Sequence, residues 1–473
     1  MHCTEAVMKK SISLYFSLII VFISTIIITG SSGCANIIPP TGGPRDSLPP
    51  VLIAANPKDS ITDFTGNRIT LYFNEFVEIQ NTQENVLVSP TPVNSPNIDY
   101  KLRTVTVKLR DTLEPATTYS INFGDAIKDV NEGNVLKNFT YVFSTGSTID
   151  QNTFSGKVIV AETGKADSTL IAVLHRSLAD SAVAKEKPRY ITKLDGKGNF
   201  QFNNLPRGTF ALYALPNDYS KRYDDTTKLF AFADKPITIA DSTQPITLYA
   251  FSLPKETVAT PAGNTSRTSA RDKQLRNTTT LESNKQDLLK PLQLDFNRKV
   301  SFDSTKIILT DTSFRSITNY QIIADTNRTR FTIRYNWPAN TAFNLLIEKS
   351  AFTDSAGVTL AKNDTLRFTT KREDEYGSVK LRFKNLDLTK NPVLQLVQAD
   401  KVVDSIPLTG TVWLRKLFPP GEYGMRILYD RNKNGKWDTG RFFGEHRQPE
   451  IVISLNTTLK IRNNWDNGMD ITF

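Results

Sequence analysis

The sequence predicts an all-β protein made of tandem antiparallel β-sandwiches. Three observations carry that prediction. Apolar residues alternate with period two in short runs such as Val105-Thr106-Val107-Lys108-Leu109 and Tyr119-Ser120-Ile121-Asn122-Phe123, and such runs make half-buried strands. Turn residues interrupt the runs about every 8–12 positions, the spacing of a sandwich. Blocks of sequence also recur at long range, which marks repeated units.

The chain has 473 residues, enough for about three or four domains of roughly 150 residues or fewer. Aromatic residues are 10% and charged residues 22% of the chain, an ordinary globular composition. The net charge is +10, but no block of five or six like charges occurs. Nucleic-acid binders concentrate basic charge on a stripe, so nucleic acid is not an expected partner. The dispersed charge is read as a solubility feature, with weak attraction to anionic surfaces as the alternative. The two cysteines are Cys3 and Cys34. With none after Cys34, every core must hold by packing, without disulfides.

The N-terminus begins with a basic pair, Lys9-Lys10, followed by an apolar run from Leu14 to Ile28 and then Gly30, Ser31, Ser32, Gly33 and Cys34. That order describes a secretory signal peptide over residues 1–33, with translation expected from Met8. The apolar run is short of the about 20 residues that a spanning helix needs, and Ser17, Ser24 and Thr25 interrupt it. Ser31-Ser32-Gly33-Cys34 resembles the lipobox of bacterial lipoproteins, with Ser31 where Leu is commonest. The resemblance implies that Cys34 is lipidated and holds the protein to the outer membrane. Several acyl chains anchor stably, because each buried CH₂ contributes about 0.8 kcal/mol. Residues 34–50 hold Pro39, Pro40, Pro44, Pro49, Pro50, Gly42 and Gly43, and are expected to form an extended tether.

Two kinds of unit repeat. Leu71-Tyr72-Phe73-Asn74-Glu75-Phe76-Val77 recurs as Leu294-Asp295-Phe296-Asn297-Arg298-Lys299-Val300. Pro115 to Tyr119 recurs as Pro338 to Phe343, and Ala126-Ile127-Lys128-Asp129 as Ala351-Phe352-Thr353-Asp354. Each copy closes on a strand, Phe143-Ser144-Thr145 or Phe368-Thr369-Thr370. This order of motifs resembles the bacterial Ig-like domain of surface-layer proteins and of many Bacteroidetes lipoproteins, over residues 51–146 and 272–371. The resemblance speaks for fold and is nearly silent on function.

The second kind is read from Gly198-Asn199-Phe200-Gln201-Phe202 leading into Leu205-Pro206-Arg207-Gly208-Thr209-Phe210, and from Phe418-Pro419-Pro420-Gly421-Glu422-Tyr423. These resemble the turn of carboxypeptidase regulatory-like or transthyretin-like sandwiches. The resemblance implies such units over residues 147–251 and 372–473, and the second copy keeps only the Pro-x-Gly-x-aromatic part. Residues 252–271 are rich in Thr, Ser, Ala and Pro and are expected to be a flexible linker that divides the molecule into two arms.

One local pattern suggests a ligand. Asp430-Arg431-Asn432-Lys433-Asn434-Gly435-Lys436-Trp437-Asp438 matches D-x-N-x-N-G-x-x-D. Asp430, Asn432, Asn434 and Asp438 could offer side-chain oxygens to Ca²⁺, but Arg441 stands where an EF-hand supplies a bidentate Glu. The same residues suit a turn in which Asn and Asp side chains bond their own backbone. The structural turn is the expectation, with no cofactor or metal, and weak Ca²⁺ binding is the alternative. Trp413, Phe418, Tyr423, Tyr429, Trp437, Phe442, Phe443 and Trp465 crowd the last 65 residues or so. They are expected to fill the core of a small sandwich rather than line a partner surface.

No H-E-x-x-H, G-x-S-x-G or P-loop pattern occurs, and the histidines are His2, His175 and His446. No catalytic residue is expected. The function expected is that of a non-catalytic envelope lipoprotein that scaffolds or binds within an outer-membrane protein complex. A surface adhesin or glycan-binding module is the alternative.

Overall fold

Period-two runs become strands whose alternate side chains meet across two sheets, and four such sandwiches follow one another. The structure, a computed structural model, describes residues 17–23, 45–255 and 274–473. The signal-peptide boundary and Cys34 lie outside the described residues. Among the described residues no helix is long and apolar enough to cross a membrane. Among the described residues after 45, the longest helices are two four-residue turns, Thr82–Asn85 and Ala182–Lys185.

In the first unit, Leu52–Asn56, Arg68–Phe73, Thr104–Lys108 and Asn97–Lys101 form one antiparallel sheet in that order. Thr140–Ser144, Thr118–Asn122 and Leu87–Ser89 form the facing sheet. Ile69, Leu71, Phe73, Val105 and Val107 from one side meet Ile121, Phe123, Tyr141 and Phe143 from the other, all fully buried. Tyr72, between Leu71 and Phe73, faces out at 41% exposure, as a strand with one wet face requires.

The third unit repeats this plan. Asn277–Thr279, Leu292–Phe296, Arg330–Arg334 and Gln321–Ala324 make the first sheet, and Lys285–Gln286, Asp364–Thr370, Ala342–Ile347 and Ile307–Thr310 the second. The repeated residues do the same work in both copies. Asn74 accepts the Val51 N–H at 2.7 Å, and Asn297 accepts the Arg276 N–H at 3.1 Å, so each ties the first strand to the second. Asp129 takes the N–H groups of Glu132, Gly133 and Asn134, and Asp354 those of Ala356 and Val358, closing matching turns. The Thr145 and Thr370 hydroxyls accept from the N–H of Thr117 and Thr341 at 3.0 and 2.9 Å.

The second and fourth units share another topology. In the second, Asn152–Val160 lies between Asn199–Leu205, antiparallel, and Ile246–Ala250, parallel. In the fourth, Gly377–Lys384 lies between Val412–Phe418, antiparallel, and Asp466–Thr472, parallel. The opposite sheets are Tyr190–Lys193, Leu170–His175, Gly208–Pro216 and Ala231–Phe232, and Lys401–Pro407, Pro392–Gln398, Gly421–Tyr429 and Ile451–Ile461. The sandwiches are therefore not purely antiparallel. Each of these units closes by laying its last strand beside its first.

Three expectations of detail change. Residues 45–50 are not wholly a free tether: Arg45 donates to Glu132 O, Asn134 donates to Asp46 O, and Pro50 is buried. Most of the linker, 256–271, lies outside the described residues, but its first residues are fastened, with Leu253 N–H bonded to Thr226 O and Thr439 Oγ1 to Ser252 O. The division into two arms is overturned, because the fourth unit packs directly on the second.

Candidate functional site at the unit junctions

The loop after Gly421–Tyr429 builds its own frame. Asp430, 1% exposed, accepts the N–H groups of Lys433 at 2.7 Å and Asn434 at 3.3 Å on Oδ1, and that of Gly435 at 2.6 Å on Oδ2. The carboxamides of Asn432 and Asn434 donate to Asp438 Oδ2 at 2.6 and 2.8 Å. All four residues singled out in the sequence are brought together, with their acidic oxygens facing N–H donors of the same loop. Among the described residues no group of three or more His, Cys, Asp or Glu side chains is placed to hold a metal ion.

A fifth member was not visible in the motif. Glu450, 2% exposed, accepts the N–H of Arg431 at 2.7 Å and of Asp438 at 3.1 Å. Burial pushes its carboxyl above the usual range, and the nearby charges of Asp430 and Asp438 push the same way. Trp437 Nε1 donates to Glu450 O at 2.8 Å. Both ends of the loop are thereby pinned, and the segment between Thr439 and Gln448 is held out as a finger.

That finger enters the second unit. Phe442 is 3% exposed, yet its neighbours belong to a different sandwich: Phe232 at 5.0 Å, Phe230 at 5.2 Å and Tyr213 at 5.5 Å between ring centroids. Phe443 stacks on Tyr223 at 5.7 Å. His446 meets Asp180 at 2.7 Å, and Gln448 donates to Phe232 O and to Asp234. Beside the finger, the Val452 N–H donates to Ala161 O at 3.0 Å. Gly164, at φ +67°, lies so close that a Cβ would sit 2.6 Å from the Ser454 nitrogen and the Val452 oxygen. Only glycine fits a left-handed turn against another backbone.

The crowded C-terminal aromatics thus divide three ways. Phe418 and Tyr423 are core of the fourth unit, as expected. Phe442 is core of the junction. Trp465 is 60% exposed, beneath the Arg462 guanidinium at 5.4 Å.

The junction of the first and second units mixes apolar and polar contacts, with Leu87 of the first unit in the buried cluster of Ile171, Val173 and Val183 of the second. Arg189 in the second unit pairs with Glu114 in the first through both its terminal nitrogens, and Thr91 N–H bonds Arg189 O at 2.9 Å. Tyr376, between the third and fourth units, donates to Asp287 at 3.0 Å and accepts from Leu288 N–H at 2.8 Å. The contacts therefore run from first to second, second to fourth, and fourth to third.

Residues 46–145 match a family model described as a bacterial Ig-like domain. No curated protein matches the chain. Solved structures similar to it include BcpA, the major pilin subunit of Bacillus cereus, at 12% identity over 68% of this chain and 99% of that one, with a TM-score of 0.17. The Bacillus anthracis TIE protein is similar at 10% identity over 91% of this chain and 75% of that one, TM-score 0.16. The N-terminal part of the bacterial S-layer protein SbsC is similar at 15% identity over 36% and 41% of the two chains, TM-score 0.16.

Proposed function

We propose that the protein is a non-catalytic envelope lipoprotein, anchored through Cys34, that serves as a rigid scaffold for an outer-membrane protein complex. The observation that supports this most is the Phe442 finger. It locks two sandwiches that are distant in sequence, so the molecule presents fixed edges and loops rather than swinging beads. Stiff spacing is useful to a scaffold because a partner then binds without losing the freedom of a hinge. The Ig-like match over residues 46–145 agrees with an envelope or surface setting. The basic start, short apolar run and Cys34 agree with export and lipid attachment.

The test is a pulldown of the lipidated protein from detergent-solubilised envelope, with Cys34→Ala alongside. We expect a stoichiometric membrane-protein partner, palmitate label on the parent, and loss of that label in Cys34→Ala. A chain that fractionates with the membrane and takes up palmitate without Cys34 overturns the anchor. A parent that brings down no envelope protein overturns the scaffold.

A further inference from the structure

One end of the first unit exposes apolar side chains on four separate segments. Leu48 lies on the entering chain, Phe76 between Arg68–Phe73 and Val77–Ile79, Leu102 at the tip joining Asn97–Lys101 to Thr104–Lys108, and Val130 just after Ile127–Asp129. All four are exposed, Leu102 at 64%. Hydrogen bonds gather the segments: Val77 N–H donates to Leu102 O at 3.0 Å, Val130 N–H to Phe76 O at 3.1 Å, and Asn134 Nδ2 to Asp46 O at 3.1 Å. Single apolar residues scattered over a surface are ordinary, but four converging on one end mark something that this end touches. Leu102 argues most strongly. Its backbone is left-handed, at φ +54°, where Gly, Asn or Asp is the usual tip residue. A leucine there is strained and wet at once, which points to a contact outside the fold.

We propose that this end of the first unit dips Leu48, Phe76, Leu102 and Val130 into the interface of a lipid bilayer. The inference rests on the Cys34 anchor of the proposed function. Arg45 stands 11 positions after Cys34 and is fastened to this end through Glu132 O. At no more than about 3.6 Å per residue, the lipidated residue stays within about 40 Å of Arg45. The anchor therefore keeps these loops beside the bilayer. Separate tips, rather than a continuous groove, suit a fluid interface that moulds itself to each side chain. Apolar burial drives the contact, because the charges at this end are of both signs. Arg45 and Arg103 stand against Asp46, Glu75, Asp129 and Glu132. Burial, and then the charges of Asp129, Asp46 and Glu132, raise the Glu75 carboxyl. The Arg103 guanidinium lies 5.3 Å from the Phe76 ring, so its head can stay with the lipid headgroups while the ring goes deeper.

The test uses the chain from residue 35 onward, which keeps all four sandwiches and has no cysteine, mixed with phosphatidylcholine vesicles. We expect it to float with the vesicles, equally well in low and in high salt, since charge is not the driving term. Leu48→Asn, Leu102→Asn and Val130→Asn together should lower the vesicle partition coefficient at least tenfold. The melting temperature should stay the same or rise, because Asn suits the left-handed tip better than Leu. A polarity-sensitive dye on Leu102→Cys should shift to the blue on vesicles, and one on Phe314→Cys, exposed in the third unit, should not. No flotation, a triple variant that floats like the parent, or binding that needs anionic lipid and vanishes with salt overturns the proposal. So does self-association of the parent that the triple variant loses, which would give this end to a second copy of the chain. Because the tested chain lacks Cys34, vesicle binding reads the loops alone, and the palmitate label reads the anchor.

Discussion

Phe442 belongs to the fourth sandwich by sequence and to the second by packing, with its ring 5.0 Å from that of Phe232. A large aromatic buried against a foreign sandwich couples the positions of the two units. Phe→Ala changes in cores cost about 3–5 kcal/mol, through lost transfer energy and the cavity left behind. Phe442→Ala should therefore loosen the second unit from the fourth while both stay folded. Small-angle scattering checks this: the radius of gyration should rise and the far-ultraviolet spectrum stay the same. An unchanged radius would mean that Gln448, His446 and the Ala161–Val452 bond suffice.

A cut chain should remain one particle. A specific protease site introduced between residues 256 and 273 separates the covalent halves but leaves every contact of the Phe442 finger intact. The two fragments should co-elute on size exclusion at micromolar concentration. With Phe442→Ala they should part, because about 3 kcal/mol is more than a hundredfold in dissociation constant. Fragments that separate without the substitution would show that the junction is too weak to hold the units.

The strands were legible because period two states which residue of each pair is buried. Leu71, Phe73, Leu294 and Phe296 are all inside, and Asn74 and Asn297 mark the same clamp in both copies. The Phe442 finger was not legible, for a physical reason. Its residues follow no strand period, so nothing local separates an aromatic that fills its own core from one that fills another. Its partners, Tyr213 and Phe232, stand some 200 residues earlier in the sequence. Glu450 escaped for a related reason: the spacing rule for such loops ends at the twelfth position, and this carboxylate returns from beyond it.

Acid should destabilise the second unit through His175. Burial holds the folded pKa at about 4, against 6.5 for the free side chain. Between those values the unfolded chain binds the proton and the folded one does not. Stability is therefore complete above about pH 6.5 and falls as pH drops toward 4, by about 3 kcal/mol at the limit. Glu450 works the other way, since its raised pKa lets the folded protein take up a proton before the unfolded chain does. Denaturant midpoints measured from pH 7.5 to 4.5 should fall, and His175→Phe should flatten the slope. A slope that His175→Phe leaves alone would place the titrating group elsewhere.

The Asp430 loop should be stabilised by its own backbone and not by calcium. Both oxygens of Asp430 already accept N–H groups, and Asn432 and Asn434 turn their amide nitrogens, not their oxygens, toward Asp438. A calcium ion would have to break these bonds before gaining its own. Asp430→Ala removes the charged acceptor for the N–H groups of Lys433, Asn434 and Gly435, and hydrogen bonds to a charged group contribute about 1.5–3 kcal/mol. The fourth unit should lose about 2–4 kcal/mol, and the Phe442 finger, sprung from this loop, should lose its grip on the second unit as well. Gly435→Ala should cost about 1–2 kcal/mol, because the backbone there sits at φ +75°. Adding millimolar Ca²⁺ should leave the melting temperature of the parent protein where it was. Calcium bound at 100 times its dissociation constant would instead stabilise by about 2.7 kcal/mol. A saturable calcium-dependent rise, lost in Asp430→Ala, would show that the carboxamides can turn and that the loop is a metal site after all.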